Sequence, residues 1–137
     1  MTHITRLLLL LAVLLLASCD TVNVRQYRIA GASSVERAKV KQVLRSVATQ
    51  IPLADHTSSS HAPNTVVFYT QPDVRHFAVE LGAREVGGDI LVDLSAGFGP
   101  TPPEYVRAEQ LLTAGLAQEF GGRAVRVERP DTIHTAQ

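Results

Sequence analysis

Apolar positions change their period several times along this chain, and each change marks an element. From Ser33 to Ile51, the residues Val40, Val43, Leu44, Val47, Ala48 and Ile51 recur at three- and four-residue spacing and form one stripe of a helix. Ser33 stands where a capping side chain is wanted, and Glu36, three residues on, completes the reciprocal box. Pro52 closes the helix, because the residue before a proline is pushed out of helical geometry. The same period returns at Ala108, Leu111, Leu112, Gly115, Leu116 and Phe120. Here Thr101 is expected to cap, with Pro102 in the first turn and Glu104 completing the box, and Gly121-Gly122 stops the helix. Gly115 is out of place in a helix interior, so a close approach to the sheet is expected there.

Between the helices the period falls to two. The segments HFAVELGAREV and DILVDLSAG flank Gly87-Gly88 and read as a hairpin. With Gly87-Gly88 as the loop, Val86 faces Asp89, Ala83 faces Val92, Leu81 faces Leu94 and Val79 faces Ala96. The inner pairs are apolar and share one face, whereas His76, Glu80, Arg84, Asp93 and Ser95 share the other, which is expected to be wet. A slip of one residue would mix both faces, so the pattern fixes the register. VNVRQYRIA, TVVFYT and AVRVE read as further strands. The order strand, helix, strand, hairpin, helix, strand predicts an α+β fold. Its form is a two-layer sandwich with a mostly antiparallel sheet of four to five strands and both helices on the Leu81 and Leu94 face, a ferredoxin-like or split βαβ variant. The Ser- and Pro-rich loop IPLADHTSSSHAPN is expected to be the most mobile part, and the tail 130–137 is expected to be frayed.

The first residues carry a different message. Arg6 precedes an unbroken apolar run from Leu7 to Ala17, the order of a secretory signal. That run is too short for a membrane-spanning helix, which needs about 20 residues. It ends in Leu16-Ala17-Ser18-Cys19, and Cys19 is the only cysteine. This quartet resembles the lipobox of bacterial lipoproteins. The resemblance covers residues 1–19 only. It implies that residues 1–18 are removed, that the Cys19 sulfur carries diacylglycerol, and that residues 19–137 form one lipid-anchored periplasmic domain. Asp20, directly after the lipidated position, is similar to the aspartate that retains enteric-type lipoproteins at the inner membrane. The competing reading is an ordinary secretory signal with an incidental thiol. An unpaired thiol in an oxidising compartment is a liability, which favours lipidation.

Composition narrows the partners. The chain has 13 Lys and Arg against 13 Asp and Glu, and removing Arg6 with the leader leaves 12 against 13. Such a balance gives no electrostatic reason to expect nucleic acid, and the partners expected are the membrane, through the lipid on Cys19, and an envelope protein or the cell wall.

No catalytic, metal or cofactor motif stands out. His76, Asp93 and Ser95 invite comparison with a hydrolase triad, but the register sets Ser95 opposite Glu80, four residues along from His76. That is about 13 Å, beyond the hydrogen-bond reach a nucleophile and its base require. Glu80 and Asp93 are diagonal neighbours, roughly 7 to 8 Å apart, a spacing open to paired acid and base work. On a solvated strand surface nothing is expected to raise either pKa. His56 and His61 with Asp55 lack a third ordered ligand for zinc. Neither GxGxxG nor GxxxxGK[ST] occurs. The expectation is therefore an interaction or structural module without catalytic residues, metal or cofactor, its candidate face being His76, Glu80, Arg84, Asp93 and Ser95. The alternative is a small-ligand binder or hydrolase built around Glu80 and Asp93.

Overall fold

The computed structural model describes residues 23–60, 62–72, 79–97 and 100–128. Cys19, Asp20, His61, His76 and the tail from Pro130 lie outside the described residues. The elements follow in the order β1 (Asn23–Ile29), α1 (Ser34–Gln50), β2 (Ala54–Asp55), β3 (Thr65–Thr70), β4 (Val79–Val86), β5 (Asp89–Ala96), α2 (Pro103–Phe120) and β6 (Ala124–Arg126). Single 3-10 turns, Thr57–Ser59 and Gly121–Arg123, precede β3 and β6.

The six strands form one sheet in the order β2-β3-β4-β5-β1-β6, and every neighbouring pair is antiparallel. Strands β6-β1-β5-β4 with α1 and α2 make the double split βαβ arrangement, and β3 extends it on the β4 side. The two-residue β2 takes the sheet to six strands, one beyond the expected range; it is too short to show an alternating pattern. The hairpin register is the expected one, with Val86 opposite Asp89, Ala83 opposite Val92, Leu81 opposite Leu94 and Val79 opposite Ala96. Gly87 and Gly88 both adopt the left-handed backbone that the two-residue turn demands.

Both helices cover one face of the sheet. Val40, Leu44, Val47 and Ile51 of the first helical segment meet Leu81, Val92, Leu94, Leu112 and Leu116 in a single core. The α1 cap is as expected: Glu36 N–H donates to Ser33 Oγ, and Ser33 N–H donates to Glu36 Oε2 at 2.8 Å.

At α2 the start is displaced by one residue. Pro102 occupies the cap position with extended backbone and Pro103 opens the helix. The cause is the second proline, which denies helical geometry to the residue before it. Tyr105, three residues before Ala108 and seven before Leu112, shares their face and is buried along with Ala108, Leu112, Leu116 and Phe120, whereas Leu111 and Gly115 sit at the margin. Gly115 does mark a close approach, but to α1 and not to the sheet: a Cβ there would lie 2.9 Å from Val43 Cγ1.

Within the loop expected to be the most mobile, residues 54–57 run along the outer edge of β3. His56 N–H donates to Phe68 C=O at 2.8 Å, and Phe68 N–H donates to Thr57 Oγ1 at 3.0 Å. Asp55 Oδ1 accepts from both the backbone and the hydroxyl of Thr57. Polar side chains here supply the bonds that a further strand would have made, which blunts the edge against foreign strands.

Candidate functional site

The sheet face away from the helices is built by the alternate residues of four long strands. Strand β1 contributes Val24, Gln26 and Arg28; β5 contributes Asp89, Leu91, Asp93 and Ser95; β4 contributes Glu80, Gly82 and Arg84; and β3 contributes Phe68. Four of the five face residues read from sequence are thus brought together: Glu80 opposite Ser95, Gly82 opposite Asp93, and Arg84 opposite Leu91.

This face is less wet than the alternation implies. Gln26 is 2% exposed, Leu91 6% and Ser95 9%. Leu91 lies between Arg28 and Arg84 in the register, and the aliphatic stems of arginines can shield such a position while their charged heads stay in water. Gly82 has a local reason. A side chain there would meet the Phe68 ring and the Val67 carbonyl, each 3.3 Å from a Cβ. The missing side chain gives the ring of the opposite residue its place against the strand.

The charges on the face are largely paired. Gln26 Nε2 donates to Asp93 Oδ1 at 2.6 Å, and Arg84 Nε donates to Asp93 Oδ2 at 3.4 Å. Arg28 Nε donates to Asp89 Oδ2 at 2.6 Å and Gly31 N–H to Asp89 Oδ1 at 3.0 Å. The Gly31 amide first, and Arg28 second, hold the Asp89 carboxyl below its ordinary pKa. Gln26 is the central residue of this network that the sequence reading passed over. The alternation of VNVRQYRIA placed it on the same side as Asp93, had that strand been registered against the hairpin.

Glu80 corrects a second expectation. Desolvation pushes its pKa up, although the residue as a whole is exposed. Its carboxyl has no hydrogen bond or ion pair to another described residue. Asp93, by contrast, has both oxygens engaged, Oδ1 by Gln26 and Oδ2 by Arg84.

A second polar cluster lies on the helix side of β1. Arg25 Nε donates to Glu109 Oε1 at 2.6 Å, a bond that holds the guanidinium pKa above its ordinary value. Tyr27 Oη and Thr113 Oγ1 share a hydrogen bond of 2.7 Å. The Tyr105 hydroxyl is buried without a partner, and burial raises its pKa. On the outer surface, Val43 and Val47 of α1 and Leu111 and Gly115 of α2 floor a shallow groove of about 170 Å³, rimmed by Gln42, Ser46, Gln50 and Glu119.

Among the described residues no group of three His, Cys, Asp or Glu side chains is placed to hold a metal ion. His56 is exposed beside Asp55, whose Oδ1 accepts the two bonds from Thr57. No described helix is long and apolar enough to cross a membrane. No protein family, no curated protein and no solved structure matches the chain.

Proposed function

We propose that this chain is a small lipid-anchored protein of a bacterial envelope, held through Cys19 at the periplasmic face of the inner membrane, where it acts by contact as an interaction or structural module. The observation that carries the reading is the sequence Leu16-Ala17-Ser18-Cys19, in which the only thiol of the chain follows an apolar run of signal-peptide length. Strand β1 begins at Asn23, four residues beyond Cys19, so a lipid on the sulfur would hold the domain close to the bilayer. A single acyl chain anchors only marginally, whereas two or three hold firmly, at about 0.8 kcal/mol per buried CH₂.

Action by contact is supported by the sheet face. Its aspartates are already bonded to Arg28, Gln26 and Arg84, which makes a patterned surface for an envelope protein or cell-wall partner. The near-neutral charge supports no nucleic-acid partner. A second reading, a small-ligand binder or hydrolase, has one observation in its favour: the desolvated Glu80 carboxyl lacks a partner among the described residues.

The test is metabolic labelling with a palmitate analogue followed by membrane separation. The native protein should take up label and float with the inner membrane, and Cys19→Ser should take up none. Asp20→Ser should move the protein toward the outer membrane. An unlabelled native protein would end the reading.

A further inference from the structure

We infer that the proline-built end of the sandwich is a membrane-apposed surface: Pro52, Pro72, Pro100, Pro102, Pro103 and Val106 face lipid headgroups, and the glycine-turn end points away from the bilayer. The inference rests on the proposed lipidation of Cys19 and adds an orientation to it.

Topology supplies the first argument. Strand β1 enters at Asn23, which pairs with Ala96, which in turn pairs with Val79. The chain therefore arrives from Cys19 at the end of the sheet where β5 and α1 finish and β4 and α2 begin. Four residues reach at most about 14 Å when fully extended. The far end of the sheet lies about 20 Å beyond Asn23, at about 3.3 Å per residue along β1. A tether that short cannot bring the far end to the bilayer while the near end points outward.

The two ends also differ in chemistry, independently of the tether. Five of the seven prolines of the chain lie at the near end. The described parts of its connections, 51–53, 71–72, 97 and 100–102, hold no charged side chain, and the last turn of α1 holds no basic one. Glu104 is the one charged residue in the first turn of α2. At the far end the positive-φ residues Gly31, Asn64, Gly87, Gly88 and Gly121 make the turns. The ion pairs Arg28–Asp89, Arg37–Glu85 and Arg123–Glu36 cluster there. Approach to a lipid surface strips water, which is costly for charges and for unbonded N–H groups. Prolines carry no N–H. The described near-end connections can therefore meet headgroups at less desolvation cost than the ion-paired far end, with Glu128 after β6 and, in the sequence between β3 and β4, Asp73, Arg75 and His76 as the charges of the near end outside them.

The experiment uses the full-length lipidated protein in phosphatidylethanolamine/phosphatidylglycerol vesicles. Cys19 is the only thiol, so with its sulfur lipidated an introduced cysteine is a unique labelling site. Val106→Cys and Val86→Cys are matched, at 44% and 43% exposure, and stand at opposite ends; Pro72→Cys is a second near-end site. Each carries a fluorophore, and quenching by a headgroup nitroxide lipid is compared. Several-fold stronger quenching at 106 and 72 than at 86 is expected. Mass spectrometry of the Cys19 peptide separates the two ideas. A protein without the lipid refutes the anchoring reading and this orientation with it. A lipidated protein quenched at 86 as strongly as at 106 and 72 overturns the orientation alone.

Discussion

The Gly115 and Val43 contact offers the sharpest quantitative test of the fold, because two known effects oppose each other there. Replacing a mid-helix glycine by alanine should stabilise α2 by about 1 kcal/mol through backbone entropy alone. Against this, the new Cβ would stand 2.9 Å from Val43 Cγ1, with Val43 Cβ and Cγ2 at 3.9 Å. Carbon atoms prefer about 3.5 to 4.0 Å. Val43 is 7% exposed and β-branched, so its χ1 is confined to essentially one rotamer in a helix and it cannot swing aside. The helices must instead move apart by several tenths of an ångström along a packed interface, and overpacking of this kind costs about 1 to 3 kcal/mol. Gly115→Ala should therefore be destabilising by about 0 to 2 kcal/mol net. Val43→Ala alone should cost about 2 kcal/mol through lost transfer energy and a small void. With both substitutions the added methyl occupies part of that void and the helix gain is released. The double variant should then be at least about 1 kcal/mol more stable than the sum of the singles, within the range found for contacting pairs. Urea unfolding of residues 20–137 by linear extrapolation measures all four corners of the cycle. If Gly115→Ala alone is stabilising by the full helix-propensity gain, or the two changes simply add, the close contact is not what places glycine at 115.

Three further outcomes follow from single bonds. Tyr105→Phe removes a buried hydroxyl that has no partner and should leave stability unchanged or raised, whereas Tyr27→Phe breaks the bond to Thr113 and should cost about 0.5 to 1.5 kcal/mol; equal losses in thermal melts would refute the assignment of the two hydroxyls. The hydrogen bond from Arg123 first, and the Ser33 amide second, lower the Glu36 pKa from 4.5 to about 2. Because the folded value is depressed, the contribution of Glu36 is complete above pH 4.5 and is lost as pH falls toward about 2. Glu36→Gln should thus flatten the fall of Tm in that window, and a slope equal to the native one would count against it. Thr57→Val leaves the Phe68 amide at the outer edge of β3 without its hydroxyl acceptor; it should cost about 1 to 3 kcal/mol and promote self-association, read by denaturant melts and light scattering.

What the sequence made legible was whatever one side of an element declares by itself. The stripe Val40, Val43, Leu44, Val47, Ala48, Ile51 lies in the core residue for residue, because burial of one helix face imposes its period locally. The hairpin register was equally legible, since the two-residue turn leaves one pairing that keeps Leu81 with Leu94 on the apolar face. The misses share the opposite property, in that each depends on a partner distant in sequence. Gly115 reads only as an anomaly until α1 supplies Val43. Thr57 reads as part of a polar loop until β3 supplies the Phe68 amide. The start of α2 slipped for a more local reason, the competition of two adjacent prolines for one helical position.

The candidate face shows the same division in a form that bears on function. Alternation placed Glu80, Arg84, Asp93 and Ser95 on one side of the sheet, as observed, but alternation says nothing about which charges cancel. Arg84 supplies the countercharge of Asp93 and Gln26 orients it with a hydrogen bond, and Arg28 pairs with Asp89. Glu80 is left as the one carboxyl of the face with a desolvation penalty and no bond to a described residue that would offset it. A partner or ligand that donates to this carboxyl would relieve that penalty, and partners of Asp89 and Asp93 would first have to displace bonds already made. Glu80→Gln should therefore weaken binding at this face more than Asp93→Asn does after allowance for stability. If cross-linking to an envelope partner falls equally in both variants, the face is recognised by its shape and not through its unpaired charge.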